Sequence, residues 1–499
     1  MAISDLGLAD AIPPDFTLGV ATSAFQIEGA ADADGRGPSG WDVFARQPGH
    51  IVDGHSPMVS CDHYHRMHED VALIKALGAD SYRFSLSWPR IQPQGSGPVN
   101  KAGLDFYDRL VDELLANDIS PMVTLYHWET PLALDEAGGW MNRDTAYRLG
   151  DFADIAAQAL GDRVRRWVTV NEPATVTVNG YALGIHAPGE SLFLKALPTV
   201  HHQLLGHGLA VQALRSAGVP GEIGITNVYS PMVPASDGAL DKISAGLMDA
   251  VQNRLFADPV LLGKYPALVS AANMLTSFSI DDDDLALISQ PLDFYGLNYY
   301  MPTRVAAGAS GDPVPEAMAG ALGDLGETVP GALLHITPWP GAETTAYGWP
   351  IVPEYLSVAL AELSERYPDL PPVFITEGGA SFDDRITRTG DPAEGDVVIA
   401  DEARIRYLAD HIHTAIAATS AGGAAESIAL RGYYVWSLLD NFEWQAGYQQ
   451  PFGLVHVDFS SLKRTPKASY YWLQKLLSAR RGPTAPDDSK LPAPRRTIG

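Results

Sequence analysis

Cysteine is almost absent from this chain: Cys61 is the only one in 499 residues. One thiol excludes an intramolecular disulfide framework and a multi-cysteine zinc site, and it permits a reducing compartment. Basic residues are scarce as well. Lys and Arg number 34 against 60 Asp and Glu, a formal net charge of −26, which argues against a broad polyanion-binding surface, so no nucleic-acid partner is expected. Long apolar runs are also missing. No stretch reaches the roughly 18 uninterrupted apolar residues of a membrane span, and "MAISDLGLADAIPPDF" carries neither a basic start nor a sustained apolar segment. No membrane partner and a cytoplasmic location are the expectations. What is there is a chain with 46% hydrophobic residues, enough to bury a large core.

Short β-rich runs recur at 16–23, 81–87, 121–127, 166–172, 222–228, 293–300, 373–377 and 432–438. Between them lie segments with apolar residues at i, i+3 and i+4, such as 67–78, 104–118, 146–161 and 402–419, which predict helices. Eight alternations of strand and helix predict an α/β fold, a single (β/α)8 TIM barrel with long βα loops. An open doubly wound sheet is the alternative, but no Gly-rich phosphate loop follows the first strand. The barrel is expected over 16–477, with an N-terminal extension at 1–15 and a flexible Pro-rich tail at 478–499. The Gly, Ala and Pro-rich stretch 305–334 reads as a long loop over the mouth.

Polar and aromatic groups gather where the apolar runs stop: Gln26, Ser87, Trp88, His127, Asn171, Glu172, Asn298, Tyr300, Glu377, Trp436 and Asp440. In a barrel those ends meet on one face, where active sites sit. Two of them are carboxylates, Glu172 in "TVNEP" and Glu377 in "VFITEGGAS", each closing an otherwise apolar strand where an ionised group costs solvation free energy. Carboxylates about 5 to 5.5 Å apart suit double displacement at a sugar carbon, one attacking and the other giving and then removing a proton. The charge of one raises the pKa of the other and divides the labour. Either Glu taken alone would equally serve as a salt bridge on the barrel lip.

The motifs "FTLGVATSAFQIEGA", "SYRFSLSWPRIQPQGSG", "VTLYHWETP", "GDRVRRWVTVNEP", "DFYGLNYY", "ITEGG" and "YYVWSLLDNFEWQAGY" with "FGLVHVDF" run in order from about Phe16 to Leu477. In these the chain resembles glycoside hydrolase family 1, the family of bacterial β-glucosidases. The resemblance implies that Glu172 is the acid/base and Glu377 the nucleophile of a retaining β-glycosidase acting on a small β-glycoside, without a cofactor or metal. A Glu at 172, where the thioglucosidase branch has Gln, implies O-glycoside hydrolysis. It also implies that Arg83 and Tyr300 hydrogen-bond Glu377 and that Gln26, His127, Asn171, Asn298, Glu443 and Trp444 bind the sugar, Asn171 at the 2-hydroxyl. Trp436 would form a flat wall for the sugar's CH face, Phe452 would line the same subsite, and Trp349 the leaving-group side. Members that cleave 6-phospho-sugars carry Ser in place of Glu443, with Lys and Tyr nearby. Positions 440–453 hold no Lys or Arg, so a free sugar is expected.

Three positions depart from the family pattern: Gly378 where Asn is usual, Pro451 where Arg is usual, and "GWPI" for Trp-Glu-Ile. The expectation is a β-glucosidase that removes a terminal β-glucosyl unit from a disaccharide or aryl glucoside; a galactoside, fucoside or disaccharide-releasing specificity is the alternative within the family, homo-oligomerisation is left open, and a catalytically silent sugar-binding barrel is the reading from another class. His63, His65 and His68, like His201, His202 and His207, lack a completing Cys or carboxylate in the sequence and read as helix-packing residues rather than metal ligands. "DDDD" at 281–284 reads as a solvated helix start.

Overall fold

The computed structural model describes residues 5–267, 269, 280–307, 335–389 and 396–481. Eight strands form a closed parallel barrel: β1 Thr17–Ala21, β2 Ser81–Ser85, β3 Ser120–Tyr126, β4 Arg166–Asn171, β5 Glu222–Val228, β6 Phe294–Asn298, β7 Val373–Gly378 and β8 Leu430–Trp436. Each pairs with its chain neighbour, and β8 closes on β1 through Val20 opposite Val435. The strands fall where the sequence places them. Their middles are buried on both sides, which is why they read as apolar runs rather than alternating ones.

Alternate side chains nonetheless serve two cores. Phe294, Phe374, Tyr434 and Trp436 point into the barrel with Met122 and Val168, whereas Tyr295, Ile375 and Val435 face the surrounding helices. Gly19 makes room for this filling, since a Cβ there would lie 2.5 Å from the Tyr434 ring.

The outer layer comprises α1 His63–Leu77, α2 Lys101–Ala116, α3 Asp144–Leu160, α4 Leu197–Ser216, α5 Glu354–Arg366, α6 Glu402–Thr419 and α7 Ala468–Arg481, with shorter helices after β5. In α2, Phe106, Leu110 and Leu114 recur every fourth residue and are fully buried, each contributing about 1.5–3 kcal/mol of transfer free energy. A helix at Asp5–Ala11 precedes the barrel and buries Leu8 and Ala9. The last helix passes the boundary expected at 477: Arg480 donates to Phe16 O and pairs with Asp80.

The stretch expected as a loop at 305–334 begins inside a strand, Thr303–Ala306, which pairs with Met232–Pro234 and His335–Ile336; positions 308–334 lie outside the described residues, as does 482–499. The acidic run is only partly solvated. Asp281 caps the helix Asp282–Ile288 by accepting from Asp283 N, but Asp284 faces inward, is buried, and pairs with Arg143 and His201. His65 and His68 are exposed, but the other histidines are absorbed by packing: His63 bonds Asp70, His207 bonds Thr169, and His202 bonds the carbonyl of Trp140. Carboxylates do stand beside four of the six, contrary to the sequence reading: Asp70 beside His63, Asp62 beside His65, Glu113 beside His68 and Asp284 beside His201. No three metal-ligating side chains converge among the described residues.

Candidate active site

Both carboxylates stand at strand ends distorted by bulges. Between Val168–Gly224 and Asn171–Thr226 the β4 strand advances three residues against two on β5, and between Ile375–Leu297 and Glu377–Asn298 the β7 strand advances two against one on β6. An extra residue bends a strand and re-aims the side chain that follows. Glu172 then adopts φ +47, a left-handed conformation unusual for a residue with a side chain, and Pro173 starts a short helix behind it. Glu172 and Glu377 are 5% and 3% exposed.

Their partners differ. Glu377 Oε1 accepts from Arg83 Nη1 at 2.5 Å and Oε2 from Tyr300 Oη at 2.6 Å. Glu172 accepts only from neutral groups, Asn298 Nδ2 at 2.6 Å and Thr175 Oγ1 at 2.7 Å. Burial, then the charge of Glu377, pushes the Glu172 carboxyl up to about 7, against the two hydrogen bonds. One carboxylate tied to a guanidinium therefore lies beside a carboxyl that keeps its proton towards neutrality. That pairing provides a nucleophile and a general acid.

A polar chain links the pair to the strand between. Arg83 Nη2 donates to Asn171 Oδ1 at 2.6 Å, and Asn171 Nδ2 lies 3.2 Å from His127 Nε2. Burial, then Arg83, drives the His127 pKa well below its ordinary value, so the ring is neutral. Its Nε2 accepts from Asn171 and its Nδ1 carries the proton. On the far side Gln26 Nε2 is shared among Asn441 Oδ1, Phe442 O and Glu443 Oε2 at 3.0–3.1 Å. Glu443 is half-buried, and desolvation, then the charge of Glu377, pushes its carboxyl up to about 8.

Aromatic side chains wall the pocket. Trp444 stacks on Phe25 with ring centroids 5.9 Å apart and lies 4.6 Å from Trp41 and 4.5 Å from Trp128, and Trp436 stacks on His127 at 5.9 Å. Opposite, Tyr300, Trp349 and Phe452 meet at 5.4 to 6.4 Å.

The sequence model of the family described as Glycosyl hydrolase family 1 matches residues 8–481. The chain belongs to that family. It is 42% identical over 467 residues to the β-glucosidase A of Acetivibrio thermocellus, covering 93% of this chain and 98% of that protein. It is 38% identical to the bifunctional β-D-glucosidase/β-D-fucosidase of Bifidobacterium breve, covering 93% and 98%. Among solved structures, the psychrophilic β-glucosidase of Micrococcus antarcticus superposes with a TM-score of 0.87 at 42% identity, covering 96% of this chain and all of that one.

Within this family 1 glycoside hydrolase, the fold brings the thirteen residues to which the resemblance gives a role to one end of the barrel. Asn298 is placed differently from the sugar-binding role expected of it. Both protons of its amide go to Glu172 Oε1 and Asn171 Oδ1, and its carbonyl accepts from Thr376 Oγ1 at 2.8 Å. Sequence reasoning missed Thr175, three residues after Glu172 and so one helical turn away. It missed the supports Phe25 and Trp41, and His186, which packs on Trp41 at 5.2 Å and Trp128 at 5.9 Å and is held neutral by burial, its pKa lowered to about 3. It also missed Tyr347.

Proposed function

We propose that the protein is a retaining β-glucosidase that removes terminal non-reducing β-D-glucosyl residues from small β-glycosides, disaccharides or aryl glucosides. Glu377 attacks the anomeric carbon while Glu172 protonates the leaving oxygen. Glu172 then takes a proton from a water whose oxygen attacks the anomeric carbon and breaks its bond to Glu377, which releases the sugar with its configuration retained. The observation that carries this reading is the unequal pair: Glu377 held by Arg83 and Tyr300, beside a Glu172 whose proton persists to about pH 7. A sugar-binding barrel without turnover needs no such division between two carboxyls. Asn171, His127, Gln26 and Glu443 bind the hydroxyls, Asn171 at the 2-hydroxyl, and Trp436, Trp444 and Phe452 pack against the ring. Trp349 borders the leaving group. No Lys or Arg stands at positions 440–453 to pair with a 6-phosphate, and Glu443 favours a free sugar.

One sequence feature supports a cytoplasmic location, the single cysteine; it lies buried. A second specificity, for β-fucosides, is favoured by the likeness to the bifunctional enzyme of Bifidobacterium breve.

The test uses 4-nitrophenyl β-glucoside. Glu377→Ala abolishes turnover, whereas Glu172→Ala still forms the glycosyl-enzyme from an activated aryl leaving group that needs no protonation. Proton NMR of the first product shows the β-anomer; initial release of the α-anomer would refute retention and reassign both residues.

A further inference from the structure

A line of hydrogen bonds runs behind Glu172 and crosses three further strands. Thr376 is the residue that the bulge of β7 adds between the pairs Ile375–Leu297 and Glu377–Asn298, and a bulge takes the extra side chain out of the regular alternation. Its hydroxyl is thereby brought beside Asn298 of β6. Thr376 Oγ1 donates to Asn298 Oδ1 at 2.8 Å, and Thr226 Oγ1 of β5 donates to Thr376 Oγ1 at 3.2 Å. Asn298 Nδ2 in turn donates to Glu172 Oε1 at 2.6 Å and to Asn171 Oδ1 at 3.2 Å. Thr226, Asn298 and Thr376 are fully buried. Gly296, which pairs with Thr226, leaves room for this line, since a Cβ there would lie 2.2 Å from Thr226 Oγ1.

Arg83 fixes the direction of the protons along the line. A guanidinium only donates, so Asn171 Oδ1, which takes Arg83 Nη2 at 2.6 Å, is an acceptor. Asn298 must therefore turn its NH2 towards Asn171 and Glu172, and its carbonyl towards Thr376. That carbonyl only accepts, so it takes the single proton of the Thr376 hydroxyl, which is then left to accept from Thr226. No other group among the described residues donates to Asn298 Oδ1. Without the hydroxyl of Thr376 the amide is held at one end only, and its buried carbonyl is left unpaired.

We infer that Thr376 is a positioning residue for the general acid: its hydroxyl locks the Asn298 amide so that the N–H stays on Glu172 and keeps that carboxyl aimed at the leaving oxygen. The inference rests on the reading above, in which Glu172 protonates the leaving group. Glu172 has a tether on each oxygen, Asn298 on Oε1 and Thr175 on Oε2. Once the amide is loose the carboxyl swings, and a small displacement of a group that must deliver a proton costs rate. Glu377 is held by other groups, Arg83 and Tyr300, so the loss falls on the proton transfer and not on the attack. The residue that precedes the nucleophile in the chain thus serves the acid.

Thr376→Val keeps the branched shape and removes the hydroxyl, whereas Thr376→Ser keeps the hydroxyl and removes a methyl group. Both are assayed for kcat/KM on octyl β-glucoside, whose leaving group needs a proton, and on a dinitrophenyl β-glucoside, whose leaving group needs none. The assay is run at about pH 5.5, below the Glu172 pKa of about 7. Losing a donor to the ionised form raises that pKa further, so Glu172 carries its proton in every variant. The octyl-to-dinitrophenyl ratio is expected to fall about fivefold to tenfold in Thr376→Val, the equivalent of about 1–1.4 kcal/mol for one hydrogen bond. In Thr376→Ser it is expected to stay near that of the unmodified protein. A Thr376 that only packs β7 beside Glu377 lowers both rates together, so an unchanged ratio in Thr376→Val overturns the inference, as does an equal fall in Thr376→Ser. Thr376→Ala carries the same expectation and takes the place of Thr376→Val if that variant does not fold. Glu172→Ala, assayed alongside, separates the two readings. If it does not lose the octyl glucoside selectively, Glu172 is not the acid and both readings fall; if it does and the ratio in Thr376→Val is unchanged, only the role of Thr376 falls.

Discussion

Replacing Thr175 by valine should move the alkaline limb of the pH–rate profile upward by about one unit. Thr175 Oγ1 donates to Glu172 Oε2 at 2.7 Å, and this bond stabilises the ionised form against the burial and the Glu377 charge that raise the pKa to about 7. Valine keeps the branched shape and removes the donor. The carboxylate loses a favourable contact, the protonated form does not, and the pKa rises. A hydrogen bond to a charged group contributes about 1.5–3 kcal/mol, and one pKa unit corresponds to about 1.4 kcal/mol. Thr175 is half-buried, so water recovers part of the loss and the low end of the range applies. The assay is kcat/KM from about pH 5 to 10 on an alkyl β-glucoside, whose leaving group needs a proton. An aryl glucoside with a strongly activated leaving group, run in parallel, should show a weaker shift. An alkaline limb that stays in place or moves down would refute the reasoning, because it would mean that this bond does not set the acidity of Glu172.

Glu443→Gln should stabilise the fold more at alkaline than at acid pH. The Glu443 pKa is raised to about 8 in the folded protein against about 4.3 for an unfolded Glu. The folded state therefore binds the proton more tightly, and stability falls as pH rises through the window from about 4.3 to about 8. Removing that titration should yield about 2–4 kcal/mol more unfolding free energy at pH 8 than at pH 4.5 in urea melts; equal gains at both pH values would count against it. Gly378→Asn, which restores the residue usual in the family, should destabilise by about 1–3 kcal/mol through overpacking. A Cβ there would lie 2.2 Å from Tyr433 Oη, and wild-type melting and turnover in the variant would show that Tyr433 moves aside freely.

Gly378 illustrates where reading the chain runs out. Its departure from the family pattern is visible in one line of sequence, but the reason for it lies on the next strand. The phenol of Tyr433 occupies the space that a side chain at 378 would take, and the φ of Gly378 is not left-handed. The barrel was legible for the opposite reason: each strand is buried on both sides, so an apolar run marks it without any knowledge of its neighbours. The start of the stretch expected as a loop differed, because Thr303–Ala306 pairs with Met232–Pro234, some seventy positions away, which local composition does not reveal.

The chain alone determined the order of eight strands, the two carboxylates that end β4 and β7, and, through its motifs, the family. Those features are local, written in the spacing of apolar residues and in what interrupts them. Only the tertiary structure decided how the two carboxylates differ. Asn298 reaches Glu172 across 126 positions and Arg83 reaches Glu377 across 294, and the acidity of Glu172 follows from burial and from the charge of Glu377. It likewise decided that Asn298 supports Glu172 and that Tyr347 stacks on Trp349. Hydrogen bonds and Coulomb interactions act over a few ångströms of space, whatever the separation along the chain, so these properties exist only once the barrel has closed.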